Sequence, residues 1–278
     1  MKKIFVTYGD AGYEASKKKI INEARSTKEF DILYSYGRED LSKTLLASDI
    51  INIKRGGGLW SWKPDIIFTT MENLQIGDII VYCDAGCSLY FSREWKKYWK
   101  KLKKHDIIAQ RIFQRTQKWT RKEIVDYFKD NGTSWLSQFQ FQATIIIKVT
   151  TFTKQFVKEW RNLMIEYPEF AMDVSIDKIS EQLPGFIENR HDQAIYSALI
   201  YKYLNNPETR DKIYTQWEHI EDYDPLCKQA IRATRLRQGQ METKKAKIIA
   251  GFKRLIKDFI YKPFYYSPLN WWYSQKVL

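Results

Sequence analysis

Ile79-Ile80-Val81-Tyr82-Cys83, inside the stretch GDIIVYCDAGC that spans residues 77–87, is the feature that most restricts the fold. A continuous apolar, β-branched run of this length is what a central strand covered on both faces requires. It stops at an acid. Asp84 follows at once, then Ala85 and Gly86, so a carboxylate stands where a strand ends and small residues leave room for close approach to the backbone. In open α/β sheets that edge is where ligands bind. The plainer account of Asp84 is a strand-end acid capping a turn.

The preceding stretch, Arg55-Gly56-Gly57-Gly58-Leu59-Trp60-Ser61-Trp62-Lys63-Pro64, is equally unusual. Three successive glycines suggest a flexible turn or a nest of backbone N–H groups. Pro64, with its fixed φ, suits the first position of a following helix. Ile66, Ile67, Thr70, Met71 and Leu74 then recur at helical spacing. Earlier in the chain, Ile4–Thr7 reads as a strand feeding the Gly-containing turn 8–12 and a helix to about Ala24. A second strand over Asp31–Tyr34 and a short helix over Glu39–Ala47 complete an alternation that predicts a parallel, doubly wound sheet.

Beyond Asp84, Arg93–Lys104 reads as a basic helix with Trp95 and Trp99 packing inward, and 105–109 as the next strand. Thr120 and Glu123 stand at capping-box spacing. In 137–147, glutamines alternate with aromatics, which puts Gln138, Gln140 and Gln142 on one face, either as amides for sugar hydroxyls or as an exposed strand surface. A helix follows over Thr151–Ile165. At 185–199 a loop enters a helix with His191, Asp192 and Gln193 crowded at its start, where N–H groups and the helix dipole favour anions. His191 or Asp192 could serve there as a base, and Asn189 or Asp192 as an N-cap.

The segments 56–64 and 77–87 together resemble bacterial sugar transferases of the GT-A fold that build lipopolysaccharide or capsule. Such enzymes end a central strand with Asp-X-Asp, whose carboxylates hold Mn²⁺ or Mg²⁺ against the diphosphate of a nucleotide sugar. Here the third position is Gly86, and Asp84 alone remains as the metal ligand. The resemblance implies a GT-A-like, mostly parallel sheet flanked by helices, with a nucleoside-diphosphate sugar, UDP-linked, as donor. It implies that Tyr8 stacks on the base and Asp10 contacts base or ribose. Arg55, Trp62 and Lys63 would line the diphosphate, and Asp192 and Gln193, which resemble the Asp-Gln that opens a helix in several such enzymes, would hold donor hydroxyls. Among the three histidines, His219 is a weak further candidate as a metal ligand.

Composition adds a compartment and a partner. Three cysteines, Cys83, Cys87 and Cys227, show no zinc-type clustering and suit a reducing compartment. The N-terminus does not read as a signal peptide, and no apolar run reaches the roughly 18 residues of a transmembrane helix. Of the net charge of +13, residues 243–278 carry eight Lys/Arg against one acid. Helically spaced Ile248, Phe252, Leu255 and Phe259, with Trp271, Trp272 and Tyr273 beyond, make that tail an expected anchor on anionic lipid. Nucleic acid is a poorer partner, because charge and aromatics gather at one end rather than along a groove. The expected plan is a catalytic unit over 1–205, a helical extension over 206–242 and the anchor over 243–278, held peripherally on the cytoplasmic face of the plasma membrane beside a lipid-linked or glycan acceptor. Two other classes fit the sequence less fully: a nucleotidyltransferase of related fold and a non-catalytic lipid-surface binding protein.

Overall fold

The computed structural model describes residues 1–217 and 229–233, all within one compact unit spanning Met1–Gly239. Cys227, His219 and the expected anchor at 243–278 lie outside the described residues. The strands are β1 (Lys3–Tyr8), β2 (Ile32–Tyr36), β3 (Ile79–Tyr82), β4 (Ser88–Leu89), β5 (Ile107–Arg115), β6 (Phe139–Phe141), β7 (Ile145–Lys148), β8 (Ile213–Trp217) and β9 (Ile231–Arg232). The helices are α1 (Glu14–Thr27), α2 (Lys43–Leu46), α3 (Gly56–Leu59), α4 (Trp62–Glu72), α5 (Glu94–Leu102), α6 (Thr116–Trp119), α7 (Lys122–Tyr127), α8 (Thr151–Glu166) and α9 (His191–Asn205).

Seven strands form one α/β sheet in the order β2-β1-β3-β7-β5-β6, with β8 on β5. β1 pairs in parallel with both β2 and β3, and β5 with β8; β7 lies antiparallel between β3 and β5. The stretch 137–147 is not one strand. It follows one edge of β5 as two, β6 against Arg111–Arg115 and β7 against Ile107–Ile108. A turn at Gln142–Thr144 lets the chain move in from the sheet's edge to reach β3.

Period-2 alternation sorts side chains into two cores. Ile4, Val6, Ile80 and Tyr82 face α4, α8 and α9, while Phe5, Ile79 and Val81 face Ile20 and Ala24 of α1 and Trp95, Tyr98, Trp99 and Leu102 of α5. All four β3 residues are buried, each apolar side chain contributing about 1.5–3 kcal/mol. Cys83 and Cys87 are buried.

Several local expectations are corrected. The predicted helix at 39–47 is a single 3₁₀ turn, Arg38–Asp40, followed by α2, because Leu41 turns into the core and Ser42 caps anew. α4 begins at Trp62, so Pro64 is its third residue, still within the first turn where a missing N–H costs nothing. α7 begins after Arg121, and Thr120 makes no capping box because its hydroxyl accepts from the Gln140 amide. No helix among the described residues is long and apolar enough to cross a membrane.

Candidate active site

From β1 the chain goes outward to β2, then back across β1 to β3. The sheet's direction of winding therefore reverses between β1 and β3, and at such a switch point open α/β sheets have a crevice outside the C-terminal ends of the strands. Tyr8 and Asp10 stand at the end of β1, and Asp84 two residues beyond β3. The two strand ends are tied together, with the Thr7 hydroxyl donating to the Cys83 carbonyl at 2.8 Å. Asp10 caps its own 3₁₀ turn by accepting from Gly12 N at 2.9 Å.

Into this crevice runs α3, a left-handed turn. Gly56, Gly57, Gly58, Leu59 and Trp60 all have φ between +54° and +98°. For Leu59 and Trp60 that conformation costs about 1–2 kcal/mol each. The surroundings enforce it. A Cβ on Gly58 would meet Ile51 Cα at 2.9 Å, and one on Gly56 would enter the Trp60 ring at 2.5 Å. The N–H groups of 57–61 donate to the carbonyls of Lys54, Ile53, Arg55, Gly56 and Gly58. These amides are satisfied, so the glycines do not form the open nest that the sequence suggested. They aim side chains. Trp62 Nε1 donates to Gly56 O at 3.0 Å, and the Trp62 ring stacks on Tyr8 with centroids 4.3 Å apart. Tyr8 is buried beneath it; burial and the neighbouring Asp10 push its hydroxyl up to about 12.

The turn grips the start of α9, 129 residues away, in two places. Lys63 Nζ reaches Asp192 Oδ2 at 2.6 Å, and its second carboxylate, Asp84 Oδ1, lies at 3.5 Å. Tyr82 donates its hydroxyl to the same Asp84 oxygen at 2.5 Å. Lys63 and Asp192 are buried, whereas the Asp84 side chain is 47% exposed and forms the open side of the cluster. Burial alone would lower the Lys63 pKa, but the Asp192 and Asp84 carboxylates outweigh it and hold the ammonium above the ordinary lysine value. Burial raises Asp192, and Lys63 offsets only part of that. Burial and Asp84 keep the Tyr82 phenol protonated well beyond its usual range. One buried cation thus faces two acids.

The second grip is on His191, the first residue of α9, itself held at φ +51°. Its ring stacks on Trp60 at 4.7 Å, and Nδ1 lies 2.7 Å from Ala171 O, which assigns the proton to that nitrogen. The remaining lone pair, on Nε2, meets Arg55 Nε at 3.4 Å and Nη2 at 3.3 Å. Arg55 in turn pairs with Asp173 at 2.8 Å. Asp173 sits in an irregular exposed loop, where nothing in the sequence distinguishes it.

Gln193 extends the cluster to β5 and β6. Its amide nitrogen donates to Gln140 Oε1 at 2.7 Å and lies 2.9 Å from the Gln114 amide. Gln140 is fully buried and gives its own hydrogens to Trp119 O and Thr120 Oγ1. Gln142 lies apart from these, its amide on Gln110 Oε1, and Gln110 donates to the Tyr98 hydroxyl. The face that carries Gln140 is therefore closed by α9. Its amide anchors Gln193.

Whether these residues suit a divalent cation is decided by what surrounds Asp84. A hard cation wants six or more oxygen ligands, several from carboxylates. Here the position between the two carboxylates is filled by the Lys63 ammonium, one Asp84 oxygen is engaged by Tyr82, and no group of three or more His, Cys, Asp or Glu gathers among the described residues. Asp84 alone would have to hold the ion. The described residues do not fit a protein-held metal.

No family model matches the chain, and no curated protein sequence does. Among solved structures it is similar to an active-site mutant of LgtC and to galactosyltransferase LgtC in complex with donor and acceptor sugar analogues. Each is 13% identical, with 77% of this chain and 86% of the other covered and a TM-score of 0.37. Likeness at that level assigns no activity, which leaves the chemistry to the cluster around Lys63.

Proposed function

We propose that the chain is a GT-A-type glycosyltransferase that moves a hexosyl group from a nucleoside-diphosphate sugar, UDP-linked, to a hydroxyl of a lipid-linked or surface-glycan acceptor. The observation that carries this reading is the Lys63–Asp84–Asp192 cluster at the crevice where the sheet reverses its winding. Breaking a glycosyl–phosphate bond leaves charge on the departing diphosphate, and a fixed cation in a low-dielectric site is well suited to take it up. Lys63 has three N–H donors. Asp192 holds one firmly, and half-exposed Asp84, at the longer contact, stands between the buried ammonium and solvent, so a diphosphate would reach Lys63 by displacing Asp84 from it. Arg55, one turn away and half-exposed, supplies a second cation for the same diphosphate.

Trp62, with Tyr8 buried beneath it at the end of β1, would back the place where a base rests, with Asp10 nearby for ribose or base polar atoms. Asp192 and Gln193 would face the donor sugar. His191 presents no free lone pair while Arg55 bonds Nε2, so in this arrangement it orients Arg55 and the turn rather than taking a proton. A membrane-bound acceptor fits the basic, aromatic 243–278, which we take as an anchor on the inner face of the plasma membrane.

The nucleotidyltransferase alternative needs several acids around two metals, a requirement the single ammonium between Asp84 and Asp192 does not meet. A panel of nucleoside-diphosphate sugars tests the proposal through release of free nucleotide, with and without Mn²⁺. Slow release from one donor, lost in Asp84→Ala, is the expected outcome. Turnover that survives Asp84→Ala would move the site elsewhere, and silence across the panel with no nucleotide binding would favour a non-catalytic surface-binding protein.

A further inference from the structure

α5 is amphipathic, but both of its faces are unusual. Its inner stripe is Trp95, Tyr98, Trp99 and Leu102, all packed into the core beneath the sheet. Its outer stripe consists of cations. Arg93, Lys96, Lys100, Lys103 and Lys104 are exposed, and at 100° per residue they fall within a band about 100° wide along roughly 16 Å of helix and its flanks. None of these five forms an ion pair with a described residue. Lys101, at the margin, turns aside over the Tyr214 ring at 3.8 Å. The acid of the helix, Glu94, is buried and accepts from Ala230 N. Phe91, three residues before the helix, is 76% exposed. No part of the sugar-transfer site uses these residues.

We propose that the outer face of α5, headed by Phe91, is a docking surface for an anionic lipid bilayer. The occupant follows from the form of the patch. A straight row of like charges on a convex helix matches a flat anionic sheet, and five cations with no acid among them are complementary to it. Nucleic acid would call for a groove with aromatics interleaved for stacking, whereas here the aromatics of α5 point inward and the exposed Phe91 sits at one end, where it can enter the headgroup boundary. The start of α5 shares a sheet edge with the proposed site, although the helix covers the other face of the sheet from α4 and α9. α5 leaves the C-terminal edge of β3 and returns the chain to the start of β5, which runs parallel to β3 because β7 is antiparallel to both. Phe91 and Arg93 therefore follow Asp84 by seven and nine residues on the edge that carries the proposed site.

The test uses the full chain, with 243–278 intact, in sedimentation with vesicles of phosphatidylcholine and phosphatidylglycerol. A variant carrying Lys96→Gln, Lys100→Gln, Lys103→Gln and Lys104→Gln is compared with wild type, and a thermal melt checks that the fold is kept. Each cation near such a surface adds about fivefold in affinity, so the four together are expected to weaken binding by up to about 600-fold. Phe91→Ser alone should weaken vesicle binding severalfold and leave binding to a 20-base-pair RNA duplex unchanged. Undiminished vesicle binding by the folded quadruple variant would overturn the proposal. So would loss of RNA binding without loss of vesicle binding, which would mark the patch as a nucleic-acid surface. Nucleotide release in vesicle-free buffer is read separately, so failure of the docking surface and failure of the sugar-transfer reading are distinct results.

Discussion

Lys63 and Asp192 depend on each other for stability as well as for the proposed chemistry. Removing one partner of a buried pair leaves the other charge uncompensated, at a cost of about 3–5 kcal/mol. Lys63→Met should therefore lower stability in urea by that amount and abolish nucleotide release. Combining it with Asp192→Asn should restore most of the stability, because a neutral amide is far cheaper to bury than a lone carboxylate, yet restore none of the activity. Restored activity in the double variant would reduce the pair to a structural role. Each of these residues stands out in the sequence, Lys63 in an unusual Gly-Trp segment and Asp192 at a helix start. Their pairing across 129 residues does not, nor does the loop acid Asp173 that holds Arg55. Tyr82 is legible only as a strand residue, although its hydroxyl meets Asp84 because the two lie on either side of the strand's end.

At the scale of elements, α3 is where local and tertiary forces disagree. Three glycines permit φ > 0 but do not specify it, and Leu59 and Trp60 adopt it only because Ile51, Gly58 and the Trp60–His191 stack leave no alternative. Gly58→Ala should cost about 2–3 kcal/mol from strain and the collision with Ile51 Cα, and should displace Lys63. At Gly132 φ is also positive but a Cβ meets nothing within 4 Å, so Gly132→Ala should cost backbone strain alone, about 1–3 kcal/mol, and should leave Lys63 in place. Chemical denaturation of the two variants provides the comparison. The glutamine alternation at 138–142 has the same limit. Period 2 tells which side chains share a face, but only α9 decides that the face of Gln140 is closed. A second element links pH to the site. The Arg121 guanidinium bonds Glu123 and the carbonyls of Glu169 and Met172, which flank the Ala171 carbonyl on His191. Its hydrogen bonds draw the Glu123 pKa down from 4.5 to about 2. A lowered carboxylate pKa gives stability that is present above 4.5 and fades as pH falls toward 2. Because Glu123 is half in solvent, the loss should stay under about 1 kcal/mol, and Glu123→Gln should remove that part of the acid dependence of the melting temperature.

For the whole molecule, the hydrophobic runs of β1 and β3 predict strands covered on both faces, β2 is a partly buried edge strand, and the helices between them predict the parallel order. The antiparallel β7 is not legible in the same way. Its run Ile145–Ile147 looks like any buried strand, and its direction depends on a turn at 142–144 that carries no glycine or proline. The molecule's charge is legible in amount, with the cationic stripe of α5 plain in the sequence as Lys-Lys pairs between tryptophans and its exposure set by how those tryptophans pack. The account's central claim is that the buried ammonium of Lys63, screened from solvent by half-exposed Asp84, receives the diphosphate of a sugar nucleotide. Calorimetric titration with UDP, UMP and uridine, repeated on Lys63→Gln, tests this most directly. The prediction is that UDP binds at least tenfold more tightly than UMP to the wild-type chain and that Lys63→Gln erases this difference while still folded. Equal binding of UDP by the wild type and Lys63→Gln, or no binding of any of the three by either, would contradict it.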